Sequence, residues 1–108
     1  REAVLQKDFA ALAAVSEASA LTMHGLAMSA RPGVLYFNAT TMACLHRIIE
    51  LRQDGVAVFF TVDAGPQVKA VCLPAAVEAV KTALADIAGV TEMIHCRLGP
   101  GAHALNLA

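Results

Sequence analysis

VAVFFTVDAGPQVK, from Val56 to Lys69, decides how the rest of the chain is read. Val56, Val58, Phe60 and Val62 share one face of an extended segment, and Ala57, Phe59 and Thr61 share the other. Both faces are apolar, the pattern of a strand buried on both sides. Asp63-Ala64-Gly65-Pro66 then stops it. Proline has no N–H to give a ladder, and glycine tolerates the positive φ that a sharp reversal calls for. An ionisable carboxylate is therefore expected at the rim of the core, where it can face a ligand. Asp63 is the leading candidate for chemistry, set against the turn-forming role that an Asp near a Gly has in many loops.

Working outward, Val68 to Leu73 reads as a second strand that returns as a hairpin, its DAGPQ turn longer than a two-residue loop. Upstream, Lys7-Asp8-Phe9 opens a helix with Asp8 as its cap. Phe9, Leu12, Ser16, Ala20, Met23 and Ala27 carry that helix to about Ser29, with small residues that let another helix approach. Pro32-Gly33 breaks the chain. Asn38 or Thr40 caps a second helix along Met42, Leu45, Ile48, Ile49 and Arg52, which Gly55 ends. His46 and Arg47 face solvent, Arg47 beside Glu50.

Downstream, Pro74 opens a third helix whose core stripe is Val77, Val80, Leu84 and Ile87, with Glu78 and Lys81 paired outside it. Gly89 ends that helix. Val90 to Leu98 is expected to form a third strand, Glu92, Ile94 and Cys96 alternating with Met93, His95 and Arg97. After the Gly99-Pro100-Gly101 turn, a short last strand is expected from Ala102 to Leu107. The order helix, helix, hairpin, helix, strand gives an α+β two-layer sandwich with helices on one face of a mainly antiparallel sheet.

Composition removes several function classes. A chain of 108 residues with 57% hydrophobic residues is long enough for one cored domain. A net charge of −1, one tyrosine and four phenylalanines leave no basic, aromatic-interleaved stripe for nucleic acid. No apolar run approaches the length that spans a bilayer, and REAVLQKDF lacks the layout of a signal peptide, so a cytoplasmic protein is expected. Cys44, Cys72 and Cys96 have no paired spacing and are expected to be buried, reduced thiols. His24, His46, His95 and His103 share no ligand spacing, and no nucleotide-loop or zinc motif occurs. The chain begins with Arg1, which fits a domain excised from a longer protein.

FFTVDAGPQVK resembles the signature of the diphosphomevalonate decarboxylases, with Gln67 where many members carry Asn. KDF (Lys7 to Phe9), LTMHGLAM (Leu21 to Met28), RPGVLYFNATT (Arg31 to Thr41) and GPG (Gly99 to Gly101) follow the same order. Ala39 replaces an acidic residue found at the second helix cap in many relatives. The match spans nearly the whole chain and only the C-terminal half of such an enzyme.

The resemblance implies a ferredoxin-like C-terminal domain of the GHMP kinase superfamily. It also implies an ATP-dependent decarboxylation of (R)-5-diphosphomevalonate to isopentenyl diphosphate. Asp63 would be the catalytic residue, the backbone at Ala64 and Gly65 would lie against substrate, and His24 would line or support the cleft. ATP and Mg2+ would be bound mainly by an N-terminal domain of the same enzyme, the enzyme would be a homodimer, and these residues alone would be inert. Two other readings stand beside it: a related superfamily member (phosphomevalonate decarboxylase, mevalonate 3-kinase or phosphomevalonate kinase), and a non-enzymatic ferredoxin-like module that binds a small ligand.

Overall fold

The start of helix α2 (Phe9–Ser29) is set by Asp8, whose Oδ1 accepts the Ala11 N–H at 2.9 Å. This satisfies one of the donors that a helix start leaves free. A single helical turn, α1 (Glu2–Leu5), precedes it. The computed structural model describes residues 1–104 of the chain. Helix α3 (Ala39–Gln53) is capped by Asn38, which accepts the Thr41 N–H at 2.8 Å while Thr41 reciprocates as a capping box. Thr40 turns instead to a distant part of the chain, donating to the Ala88 carbonyl at 3.2 Å.

Gly55 ends α3 with φ +87°. The Val56 N–H reaches Leu51 and the Gly55 N–H reaches Arg52, so the last carbonyls of the helix are satisfied as the chain turns into the sheet. Strand β1 (Val58–Val62) then pairs antiparallel with β2 (Val68–Cys72), Phe60 opposite Ala70 and Thr61 opposite Lys69. Pro74–Ala76 forms a turn of 3-10 helix that leads into α4 (Val77–Ala85).

One face of the hairpin meets α3 and α4. Val58, Phe60 and Val62 pack there against Leu45, Ile48 and Val80, and Ile48 and Val58 lose all exposure to solvent. Burial of such side chains contributes about 1.5–3 kcal/mol each, and it anchors β1 in the centre of the fold. The opposite face is mostly open, with Phe9 of α2 covering Phe59 at 5.3 Å between ring centroids. Helix α2 lies along the edge of β1 that β2 leaves free, so the α+β two-layer arrangement holds, built on a two-stranded sheet.

Five expectations are corrected. Val90 to Leu98 forms no strand: residues 91–104 are exposed throughout and pair with nothing described. The expected last strand from Ala102 to Leu107 runs past the described residues, and residues 102–104 form none. The buried seam of α2 runs through Ala13, Ala20 and His24, not through Met23, which is exposed. By length and composition α2 can also cross a membrane, contrary to the reading that no segment comes near. Here its Glu17 and His24 bond the strand edge, the work of a helix that faces a core. Finally, Cys96 is exposed and Cys72 half-buried, leaving Cys44 as the buried thiol.

Candidate active site

Asp63 is the first residue beyond β1, a strand with four of its five residues buried. Its own side chain is 78% exposed. The strand thus holds the backbone while the carboxylate stands in the open. Across the hairpin, Lys69 Nζ donates to Asp63 Oδ2 at 2.6 Å. An exposed pair of this kind contributes only about 0–1 kcal/mol, so a ligand hydroxyl can displace it at little cost.

The turn itself is short of side chains on its outer surface. The Gly65 N–H donates to the Asp63 carbonyl at 2.8 Å, and Ala64 is exposed beside it. Gly65 does not take the left-handed backbone that the sequence suggested. The reversal is spread over Asp63 to Gln67, and a Cβ at Gly65 would meet the movable end of the Gln67 side chain. On the inner side, the Thr41 hydroxyl donates to the Pro66 carbonyl at 2.9 Å.

His24 stands behind this turn. It is 2% exposed, its ring lies 4.1 Å from that of Phe37, and the Tyr36 ring meets it edge-on at 5.7 Å. Its Nε2 is 3.2 Å from the Val62 carbonyl. A carbonyl only accepts, so Nε2 carries a proton and donates it. Asp63, Ala64 and Gly65 therefore come together in one exposed turn, and His24 touches the backbone one residue before it.

Residues missed from the sequence complete the support. Glu17, about two turns before His24 on α2, accepts the Phe60 N–H of β1 at 3.2 Å and also a hydrogen bond from Arg52 Nη1. Its signal was present: a lone carboxylate within an apolar helix has to find donors or face water. Among the described residues no buried side-chain nitrogen or oxygen lacks a partner. Burial pushes the Cys44 and Cys72 thiols up from their ordinary range, which keeps both protonated.

Two shallow depressions lie away from the turn, one along Gly55, Val56, Leu73 and Ala76, the other along Val4, Phe9 and Leu12. Neither includes Asp63. Among the described residues no group of three or more His, Cys, Asp or Glu is placed to hold a metal ion.

The family profile for the mevalonate 5-diphosphate decarboxylase C-terminal domain matches residues 1–105. The chain belongs to that family. Solved members are similar in both fold and sequence. The mevalonate diphosphate decarboxylase from Enterococcus faecalis is 35% identical with a TM-score of 0.74, over 79% of this chain and 26% of that one. The mevalonate pyrophosphate decarboxylase from Streptococcus pyogenes is 30% identical with a TM-score of 0.73, over 80% of this chain and 28% of that one. A structure of MDDEF in complex with MVAPP, AMPPCP and magnesium is 34% identical with a TM-score of 0.75, over 82% of this chain and 27% of that one. The chain thus spans about a quarter of the solved relatives it matches. Curated protein sequences yield no match.

Proposed function

We propose that this chain is the C-terminal part of an ATP-dependent diphosphomevalonate decarboxylase, and that Asp63 acts on the 3-hydroxyl of (R)-5-diphosphomevalonate. The observation that carries the reading is an exposed carboxylate fixed at the end of a buried strand, within a chain that matches the family over residues 1–105. Asp63 accepts the hydroxyl proton as the oxygen attacks the γ-phosphorus of ATP in line, and ADP departs. The C3 oxygen now leaves as phosphate, and the electron pair of the breaking bond to the carboxylate closes the double bond. Carbon dioxide and isopentenyl diphosphate are the products.

Within that reaction the backbone at Ala64 and Gly65 lies against substrate, since neither residue carries a bulky side chain. Lys69 gives up its bond to Asp63 when the hydroxyl arrives. The groups that hold the nucleotide phosphates, the substrate diphosphate and Mg2+ belong, in this reading, to an N-terminal domain outside the chain. These residues alone are then inert and supply one wall of the cleft with its aspartate. The family resemblance also favours a cytoplasmic, dimeric enzyme.

The test is an assay of the full-length protein with ATP and 5-diphosphomevalonate, reading ADP and carbon dioxide together. Equal release of the two is expected. ADP without carbon dioxide would identify a 3-kinase that stops at phosphorylation.

A further inference from the structure

Among the described residues, two polar side chains are buried: His24, 2% exposed, and Thr41, 1% exposed. They come from different helices, and each ends on a carbonyl that flanks the Asp63 turn. His24 Nε2 on α2 donates to Val62, immediately before Asp63, at 3.2 Å. Thr41 Oγ1 on α3 donates to Pro66, three residues after Asp63, at 2.9 Å. Thr41 Oγ1 also lies 3.0 Å from Asn38 Oδ1. A hydroxyl has one proton to give, and the shorter of the two contacts, to the Pro66 carbonyl, takes it.

We propose that His24 and Thr41 are a pair of positioning residues that hold the Asp63 turn from both sides and so set where its carboxylate stands. The proposal deepens the decarboxylase reading and rests on it. The ladder fixes β1 only as far as Val62, and the turn from Asp63 to Gln67 belongs to no strand. The one side-chain partner of Asp63, Lys69, is itself exposed and weakly held. The placement of the base then depends on its neighbouring carbonyls. Both are tied by groups that solvent does not reach, which makes the ties strong and their geometry narrow. A base has to stand within hydrogen-bond reach of the proton it takes, and a displacement near 1 Å costs on the order of 100-fold in rate.

Paired substitutions in the full-length enzyme test this. His24→Phe keeps an aromatic ring between Tyr36 and Phe37 and removes the donor, whereas His24→Gln keeps an N–H donor. Thr41→Val keeps the branched shape and removes the hydroxyl, whereas Thr41→Ser keeps it. The apolar variants are expected to lower kcat by on the order of 10- to 100-fold with KM for ATP unchanged, and the donor-keeping variants to stay close to wild type. Rates are taken per folded enzyme, so a role confined to stability would leave them level.

Asp63→Asn is assayed alongside to separate two failures. If it is inactive while His24→Phe and Thr41→Val turn over like wild type, the positioning proposal is wrong and the catalytic reading survives. If Asp63→Asn turns over normally, the catalytic reading falls and takes the proposal with it. Should His24→Phe fail to fold, the two Thr41 variants decide: equal kcat overturns the proposal, and a loss confined to valine supports it.

Discussion

Val58–Val62 and Val90–Leu98 both alternate along an extended chain, yet one is the centre of the fold and the other is no strand at all. In β1 the side chains of both faces meet other side chains: Phe60 and Val62 pack on α3 and α4, and Phe59 packs on Phe9. In the later segment Glu92 sits on one face and His95 and Arg97 on the other, so neither face is apolar along its length. Ile94 is 76% exposed, and Leu98 is fully exposed. Alternation proposes a strand, but partners for the ladder and cover for a face make one. The edge of β1 shows the same lesson in polar form, because Glu17 and His24 bond the groups that a neighbouring strand would have bonded.

Substitutions can break or sharpen this contrast. Phe60→Ala removes a ring at the middle of the packed face, and urea unfolding should show a loss of about 3–5 kcal/mol. Glu17→Ala leaves the Phe60 N–H and Arg52 without their acceptor, for an expected cost of about 1–3 kcal/mol. Ile94→Ala should stay within about 0.5 kcal/mol of wild type. A cost at Ile94 approaching that at Phe60 would mean that the segment is packed, and the contrast would collapse.

Much of the fold was legible because short-range chemistry determines it. Asp8 and Asn38 cap their helices, Gly55 and Gly89 take positive φ, and the Arg47–Glu50 and Glu78–Lys81 pairs form as the spacing indicates. Helix α2 was harder to orient. Phe9, Ser16, Ala20 and Ala27 suit two faces, and hydrophobicity alone chooses Leu12 and Met23 over Ala13 and His24. The structure chooses the second face because its polar groups find partners there, at Phe60 and Val62. Asp63 was legible as a strand-end acid. Its supports were not, since Thr41 and His24 lie 22 and 39 residues before it and meet it only through the fold.

The central claim is that β1 holds a working base at its end. It is tested most directly by kcat of the full-length enzyme carrying Asp63→Asn, with melting followed in the same preparation. Because the carboxylate is exposed and its bond to Lys69 is weak, stability should fall by no more than about 1 kcal/mol. Loss of the base should lower kcat by about 100- to 10,000-fold. A folded Asp63→Asn enzyme that releases carbon dioxide at close to the wild-type rate would contradict the account and leave Asp63 as a residue of the turn.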